Sequence, residues 1–168
     1  GDIPCDDTEL TNENATLRCT LAAGTVPQQN VEAIVHVSGY GYAKIENNHT
    51  TIRPAIESIS ADKGSLAGGL TLSIAGRGFA ADYLGYVVIA GTVVCEDVEV
   101  LSSQLLTCET ATIRSTPVDA TVSGDVIVVV NSTQSACEAT ACEFSYEPDS
   151  TPLVDNVTIV GSRAMIVG

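Results

Sequence analysis

Tryptophan is absent from this 168-residue chain, and only two Phe and five Tyr supply aromatic rings. A core built from it must therefore be small and aliphatic. Basic residues are also scarce. Seven Lys plus Arg against 21 Asp plus Glu leave a formal net charge of -14, which repels phosphate backbones and anionic lipid surfaces and excludes nucleic acid as a partner. Long apolar runs are missing. Val126 to Val130 is among the longest, far short of the roughly 20 residues that span a bilayer, so no membrane insertion is expected within this segment. No charged-then-apolar leader opens the chain, and its first residue is Gly, so upstream processing or a larger parent is expected.

Signatures of chemistry are equally thin. There is no Gly-x-Ser-x-Gly elbow, no P-loop, no CxxC and no Asp-x-Asp-x-Asp-Gly loop. His36 and His49 are the only histidines. The first sits between Val35 and Val37 in an expected strand, facing away from them, and neither has a cysteine or carboxylate at ligand spacing. "SGYGYA" at 38–43 contains Gly-x-Gly but is followed by no helix, so it reads as a turn. The acidic group Asp2, Asp6, Asp7 and Glu9 reads as a solvated loop. The chain is read as non-enzymatic, with no cofactor and no metal.

What is present points to one compartment. Six cysteines at 5, 19, 95, 108, 137 and 142 suit three disulfides rather than zinc. Asn14, Asn48, Asn131 and Asn156 each precede a Thr by two places. Seven asparagines in a chain that is about one-fifth Ser and Thr yield about one such match by chance. The excess implies N-linked glycans and an extracellular or cell-surface location.

Short runs rich in Val, Ile and Thr, bounded by Gly, Pro, Asn or Asp, dominate the pattern: "VEAIVHV" at 31–37, "LTLSIAG" at 70–76, "YVVIAGTVV" at 86–94, "SQLLTCE" at 103–109 and "DVIVVVN" at 125–131. No helical periodicity lasts three turns, so the fold class is all-β, a sandwich of brief strands.

An internal repeat organises these strands. "GDIPC" at 1–5 matches "GTVVC" at 91–95, "NATLRCTLA" at 14–22 matches "SQLLTCETA" at 103–111, and "AIVHVSG" at 33–39 matches "VIVVVNS" at 126–132. The offset is about 90 residues each time. "PLVDNV" at 152–157 then matches "PAIESI" at 54–59. Residues 1–52 thus read as the back part of one module, 53–149 as a whole module and 150–168 as the front of a third. The duplication pairs Cys5 with Cys19 and Cys95 with Cys108, leaving Cys137 with Cys142 to close a tight loop.

"PAIESISADKG" at 54–64, "GG" at 68–69, "LSIAGRGF" at 72–79, "VVIAGTVVC" at 87–95, "LLTCET" at 105–110, "DVIVVVN" at 125–131 and "CEFSYEP" at 142–148 together resemble the IPT/TIG family. That resemblance implies tandem immunoglobulin-like sandwiches, as in plexins and some transcription factors; "VHVSGYGYA" at 35–43 is similar to a late strand in fibrocystin-like extracellular proteins. The first copy departs from the pattern in having no counterpart to Cys137 and Cys142. In physical terms Pro54 stiffens the approach to the module, Ile56 and Ile59 are core contacts, and Gly76 and Gly78 allow a bend before Phe79.

A sandwich without its opening strands exposes backbone edges and half a core. Two suppliers of the missing strands are open: a preceding stretch of a longer polypeptide, or another copy of the chain. For the second, "AMIVG" at 164–168 corresponds to "LSIAG" at 72–76, so Leu153, Val154, Val157, Ile159, Met165, Ile166 and Val167 are the expected assembly strands. The expected function is an extracellular structural glycoprotein unit that joins head to tail into a filament or coat, with copies of itself or adjacent modules as partners. The alternative is a receptor or adhesion segment that binds a protein or a carbohydrate. All four sequon asparagines are expected to carry glycans; intact-mass measurement before and after enzymatic deglycosylation checks this, and an unchanged mass removes the secretory assignment.

Overall fold

A computed structural model of the chain describes residues 3–11, 16–22, 24–44, 46, 49–113, 120–138, 142–154, 156–160 and 163–167. The architecture is all-β. The head carries β1 (Asp6–Thr11), β2 (Thr16–Thr20), β3 (Gln28–Glu32), β4 (His36–Val37), β5 (Gly41–Tyr42) and β6 (His49–Ile52). The central module runs from β7 (Ala55–Ile59), β8 (Lys63–Ser65), β9 (Thr71–Arg77), β10 (Leu84–Ile89), β11 (Val93–Val94) and β12 (Glu96–Ser102) through β13 (Leu105–Glu109), β14 (Val122–Asp125), β15 (Ile127–Val130), β16 (Thr133–Gln134), β17 (Ala136–Cys137) and β18 (Glu143–Glu147). The tail forms β19 (Asn156–Val160) and β20 (Arg163–Val167).

One layer of the central sandwich is a five-stranded sheet in the order β12-β13-β9-β7-β17. The other layer consists of β11-β10-β15-β16 and β14-β18-β8. Period-two alternation explains which side chains lie between the layers. In β9, Leu72 and Ile74 are fully buried while Ser73 and Ala75, which alternate with them, are not, and in β18 Phe144 and Tyr146 are fully buried while Ser145 between them is not. Ile56, Val87, Ile89, Leu106, Val128 and Val130 belong to the same buried cluster. Each such side chain contributes about 1.5–3 kcal/mol of burial. Phe144 and Tyr146 meet edge to face at 5.2 Å, the largest rings available in a Trp-free core.

Three disulfides are present, joining Cys5 to Cys19, Cys95 to Cys108 and Cys137 to Cys142, with Cα–Cα separations of 5.4, 5.9 and 6.1 Å. The second ties the residue preceding β12 to β13 inside the core, where both sulfurs are buried. Among the described residues no helix is long and apolar enough to cross a membrane.

Three sequence expectations change. The run 31–37 is not one strand: β3 ends at Glu32 and β4 begins at His36, because β3 pairs with β6 while β4 turns back on β5. The run 86–94 is a hairpin, folded at Ala90 (φ 48°) and Gly91 (φ 74°), the left-handed pair that a tight two-stranded turn requires. The acidic stretch from Asp6 is strand rather than loop, since β1 pairs with β2 across the Cys5–Cys19 bridge.

Gly76 is required by packing. A Cβ there would overlap the Ala55 carbonyl oxygen and approach Phe79 Cζ to 2.8 Å. Gly76→Ala is expected to lower unfolding free energy by about 1–3 kcal/mol through overpacking, measured as a lower urea midpoint. Gly69→Ala, with φ +80° but open space around it, is expected to lose only the ~1 kcal/mol of backbone strain.

Candidate functional site

His36 and Val37 are both exposed, and His36 packs edge-on against Tyr42 at 5.1 Å. His49 lies exposed in β6. Among the described residues no three His, Cys, Asp or Glu side chains cluster as a metal site, and every cysteine is in a disulfide. "SGYGYA" forms the β4–β5 turn, with the Tyr40 N–H donating to the Val37 carbonyl at 3.0 Å.

The head rests on one end of the central module. The Asn131 side-chain amide donates to the Pro27 carbonyl at 2.9 Å, and the Gln29 amide donates to the Ser132 carbonyl at 2.9 Å. Beside them is a cleft of about 260 Å³ lined by Cys19, Ile52, Arg53, Arg77, Gly78 and Glu138. Arg77 makes an ion pair to Glu57 at 2.9 Å and another to Glu138. Both partners are half-exposed, so these pairs orient the junction more than they stabilise it. Asn131 is exposed in the β15–β16 turn at φ 47°. Asn14 and Asn48 lie outside the described residues, and Asn156 opens β19.

Strand pairs in the head and tail can be set beside strand pairs of the central module at the offsets of the sequence matches. Asp6↔Thr20, Glu9↔Arg18 and Leu10↔Leu17 in β1–β2 stand where Glu96↔Glu109, Glu99↔Thr107 and Val100↔Leu106 stand in β12–β13, including an irregularity at the same place. His36↔Tyr42 and Val37↔Gly41 in β4–β5 stand where Val129↔Gln134 and Val130↔Thr133 stand in β15–β16. In β3–β6, Gln28↔Ile52, Val31↔Thr50 and Glu32↔His49 follow Val122↔Tyr146, Gly124↔Phe144 and Asp125↔Glu143 in β14–β18, with one extra residue absorbed near Asn30 (φ 54°). In the tail, Asn156↔Val167 and Val157↔Ile166 stand where Ser58↔Ala75 and Ile59↔Ile74 stand in β7–β9.

Equivalent positions differ in what covers them. Leu17 is 47% exposed and Val37 44%, whereas their counterparts Leu106 and Val130 are 0% exposed. Val154 in the tail is 56% exposed and its counterpart Ile56 is 0%. Leu153 and Val157 are exposed as well. Ile159, Met165, Ile166 and Val167 are backbone-paired in β19–β20. Among the described residues, the head hairpins and the tail hairpin are separate two-stranded sheets. The candidate site is therefore a pair of uncovered ends, each holding strands whose counterparts are core elements of the central module.

A family model described as the IPT/TIG domain matches residues 54–146. The chain belongs to the IPT/TIG family. Its central module is an immunoglobulin-like sandwich of that family, spanning β7 to β18. Among solved structures, the full extracellular region of plexin A4 is similar at 18% identity and a TM-score of 0.40, covering 67% of this chain and 12% of that one. This chain thus corresponds to a small part of that protein's length. No curated protein matches the sequence.

Inside the IPT/TIG module one polar group is strained electrostatically. Tyr146 is fully buried, and its hydroxyl has no hydrogen-bond partner among the described residues. Burial, and then the charge of Glu96, push its pKa up to about 12. Tyr146→Phe is expected to raise stability by about 1 kcal/mol by removing an unsatisfied buried hydroxyl. The folded state holds the phenolic proton where the unfolded chain releases it, so this tyrosine's share of stability is complete below pH 10 and lost as pH rises to about 12. The advantage of the Phe variant is therefore expected to grow across that window, measured by urea denaturation at stepped pH.

Proposed function

We propose that this chain is a non-enzymatic, extracellular structural glycoprotein unit whose copies join head to tail by strand complementation into a filament or surface coat. The units are the incomplete module 1–52, the complete module 53–149 and the opening strands 150–168. One observation carries the reading: side chains that are core in the complete module, represented by Leu106, Val130 and Ile56, have exposed counterparts in Leu17, Val37 and Val154. Exposed apolar surface and unpaired strand edges cost free energy that a neighbouring chain recovers by pairing with them. A head-to-tail contact whose rotation does not close into a ring propagates as a filament. Three disulfides and four sequons support the extracellular setting and the glycans.

A second reading, a receptor or adhesion segment, is favoured by Tyr40 and Tyr42, which are exposed beside His36 on one hairpin. Such rings suit a protein or carbohydrate partner.

Size-exclusion chromatography with light scattering tests the first reading. The whole chain is expected to form multimers that grow with concentration, and a chain lacking residues 152–168 is expected to be monomeric. Thr151 is kept because its hydroxyl accepts the Leu66 N–H at 2.9 Å. Equal mass for the two chains defeats strand complementation.

A further inference from the structure

We propose that the outer face of the β11-β10-β15-β16 sheet is a docking surface for a basic protein, one that presents aliphatic or aromatic side chains ringed by Lys and Arg. The face lies within the central module and owes nothing to how head and tail join. It supplies the second reading with a surface and a partner chemistry.

Val126 to Val130 is apolar without interruption. Alternation along β15 sends Val128 and Val130 into the core and turns Ile127 and Val129 to the other side. Val129 is buried, yet it stands outside the core cluster that holds Val128 and Val130. β10 repeats the pattern: Val87 and Ile89 are core, while Tyr86 pairs with Val129 and Val88 with Ile127. Residues paired directly across a ladder share a face. Val94 of β11 is paired with Val88 and so extends the same surface. Tyr86 and Val94 on it are exposed, and Val88 and Ile127 are half-buried.

The opposite layer shows what a solvated outer face of this module looks like. There the residues alternating with buried Leu72, Leu106 and Cys108 form the pairs Thr107↔Ser73 and Glu109↔Thr71. An antiparallel sheet with one face in water reads apolar and polar by turns, whereas a strand apolar on both faces is the pattern of one covered on both. A contiguous exposed apolar patch marks an interaction surface.

Charge selects the partner. No Lys or Arg occurs at 78–113 or 115–162, so β10, β11, β15 and β16 carry no positive charge. Asp82 precedes β10 in the single 3-10 turn Ala81–Tyr83, Glu96 and Asp97 follow β11, and Asp125 precedes β15; all four are exposed. A second copy would set these carboxylates against its own, at a net charge of -14 per chain. A partner with Lys and Arg around its apolar centre turns the same charges into attraction. Tyr83, exposed next to Asp82, adds an aromatic ring with a polar tip, the residue type that anchors protein interfaces.

A fluorescein-labelled peptide of eight residues alternating Lys and Val has one basic and one apolar side when extended, and its fluorescence anisotropy with the full chain tests the face. It is expected to bind about tenfold tighter than a peptide alternating Lys and Ser, and a peptide alternating Glu and Val is expected not to bind. Tyr86→Ser combined with Val94→Ser is expected to weaken binding about tenfold, whereas Leu101→Ser, at an exposed apolar residue of β12 in the other layer, leaves it unchanged. Asp82→Lys removes no apolar contact and is expected to weaken binding about threefold, which keeps the test decisive should the double variant not fold. Unchanged affinity in a folded double variant or in Asp82→Lys overturns the docking face, and so does equal affinity for the Lys/Val and Lys/Ser peptides. Loss of binding on Tyr40→Ser with Tyr42→Ser instead overturns the face while leaving the partner-binding reading standing. Self-association that the double variant abolishes in sedimentation velocity assigns the face to a second copy, and binding that appears only after enzymatic deglycosylation assigns it to the chain's own sugar; either result overturns the proposal. Absence of binding before and after deglycosylation overturns it as well.

Discussion

The structure depends on β9 having a neighbour on each edge and a covered face. Its backbone pairs with β13 on one side and β7 on the other, and Leu72 and Ile74 fill the space between the layers. A strand edge left bare in a protein interior forfeits its backbone hydrogen bonds, and those groups must then find water or another strand. The Gly76 position is the clearest mark of how closely this pairing is enforced. There β9 comes so near Ala55 that even a methyl group has no room. The order β12-β13-β9-β7 is thereby a unit in which removing the central strand strands the other three. The head holds the counterparts of β12 and β13, and the tail holds those of β9 and β7.

Much of this was legible in residues. The alternation in "LTLSIAG" appears as burial alternation along β9, and the matched segments around the cysteines both form hairpins with an irregularity just after the first pair; β12–β13 has a second one between Val100 and Ser102. Local signals work here because each hairpin is stapled by its own disulfide or turn, so the sequence pattern and the pairing partner are close along the chain. The breaks at residues 33–35 and 90–92 were less visible. Ala90 adopts a left-handed backbone in a hairpin turn, a position where Asn or Asp ahead of Gly gives the familiar signal, and "IAGT" reads as uninterrupted strand. The acidic residues at Asp6 and Asp7 read as loop because like charges disfavour strand pairing, yet the adjacent disulfide holds β1 against β2.

The head-to-module junction was not legible at all. It is built from amide-to-carbonyl hydrogen bonds at Asn131 and Gln29 and from the close approach of Pro27 to Gly78. None of these leaves a periodic or compositional trace, and each depends on how two separately folded segments meet. Asn131 illustrates the difficulty: its sequon is obvious, whereas its amide's second role against Pro27 appears only in three dimensions.

Charge sets the terms on which copies can meet. At a net charge of -14, two chains repel over distances comparable to the Debye length, about 8–10 Å near physiological salt. In the proposed assembly, attraction comes from contacts shorter than that range: ladder hydrogen bonds and burial of aliphatic side chains such as Leu17, Val37 and Val154, which are exposed in the single chain. Both of these require correct register, whereas electrostatic attraction would reward many approximate encounters. Under the proposed head-to-tail reading, end-to-end pairing is the contact whose short-range gain offsets that repulsion.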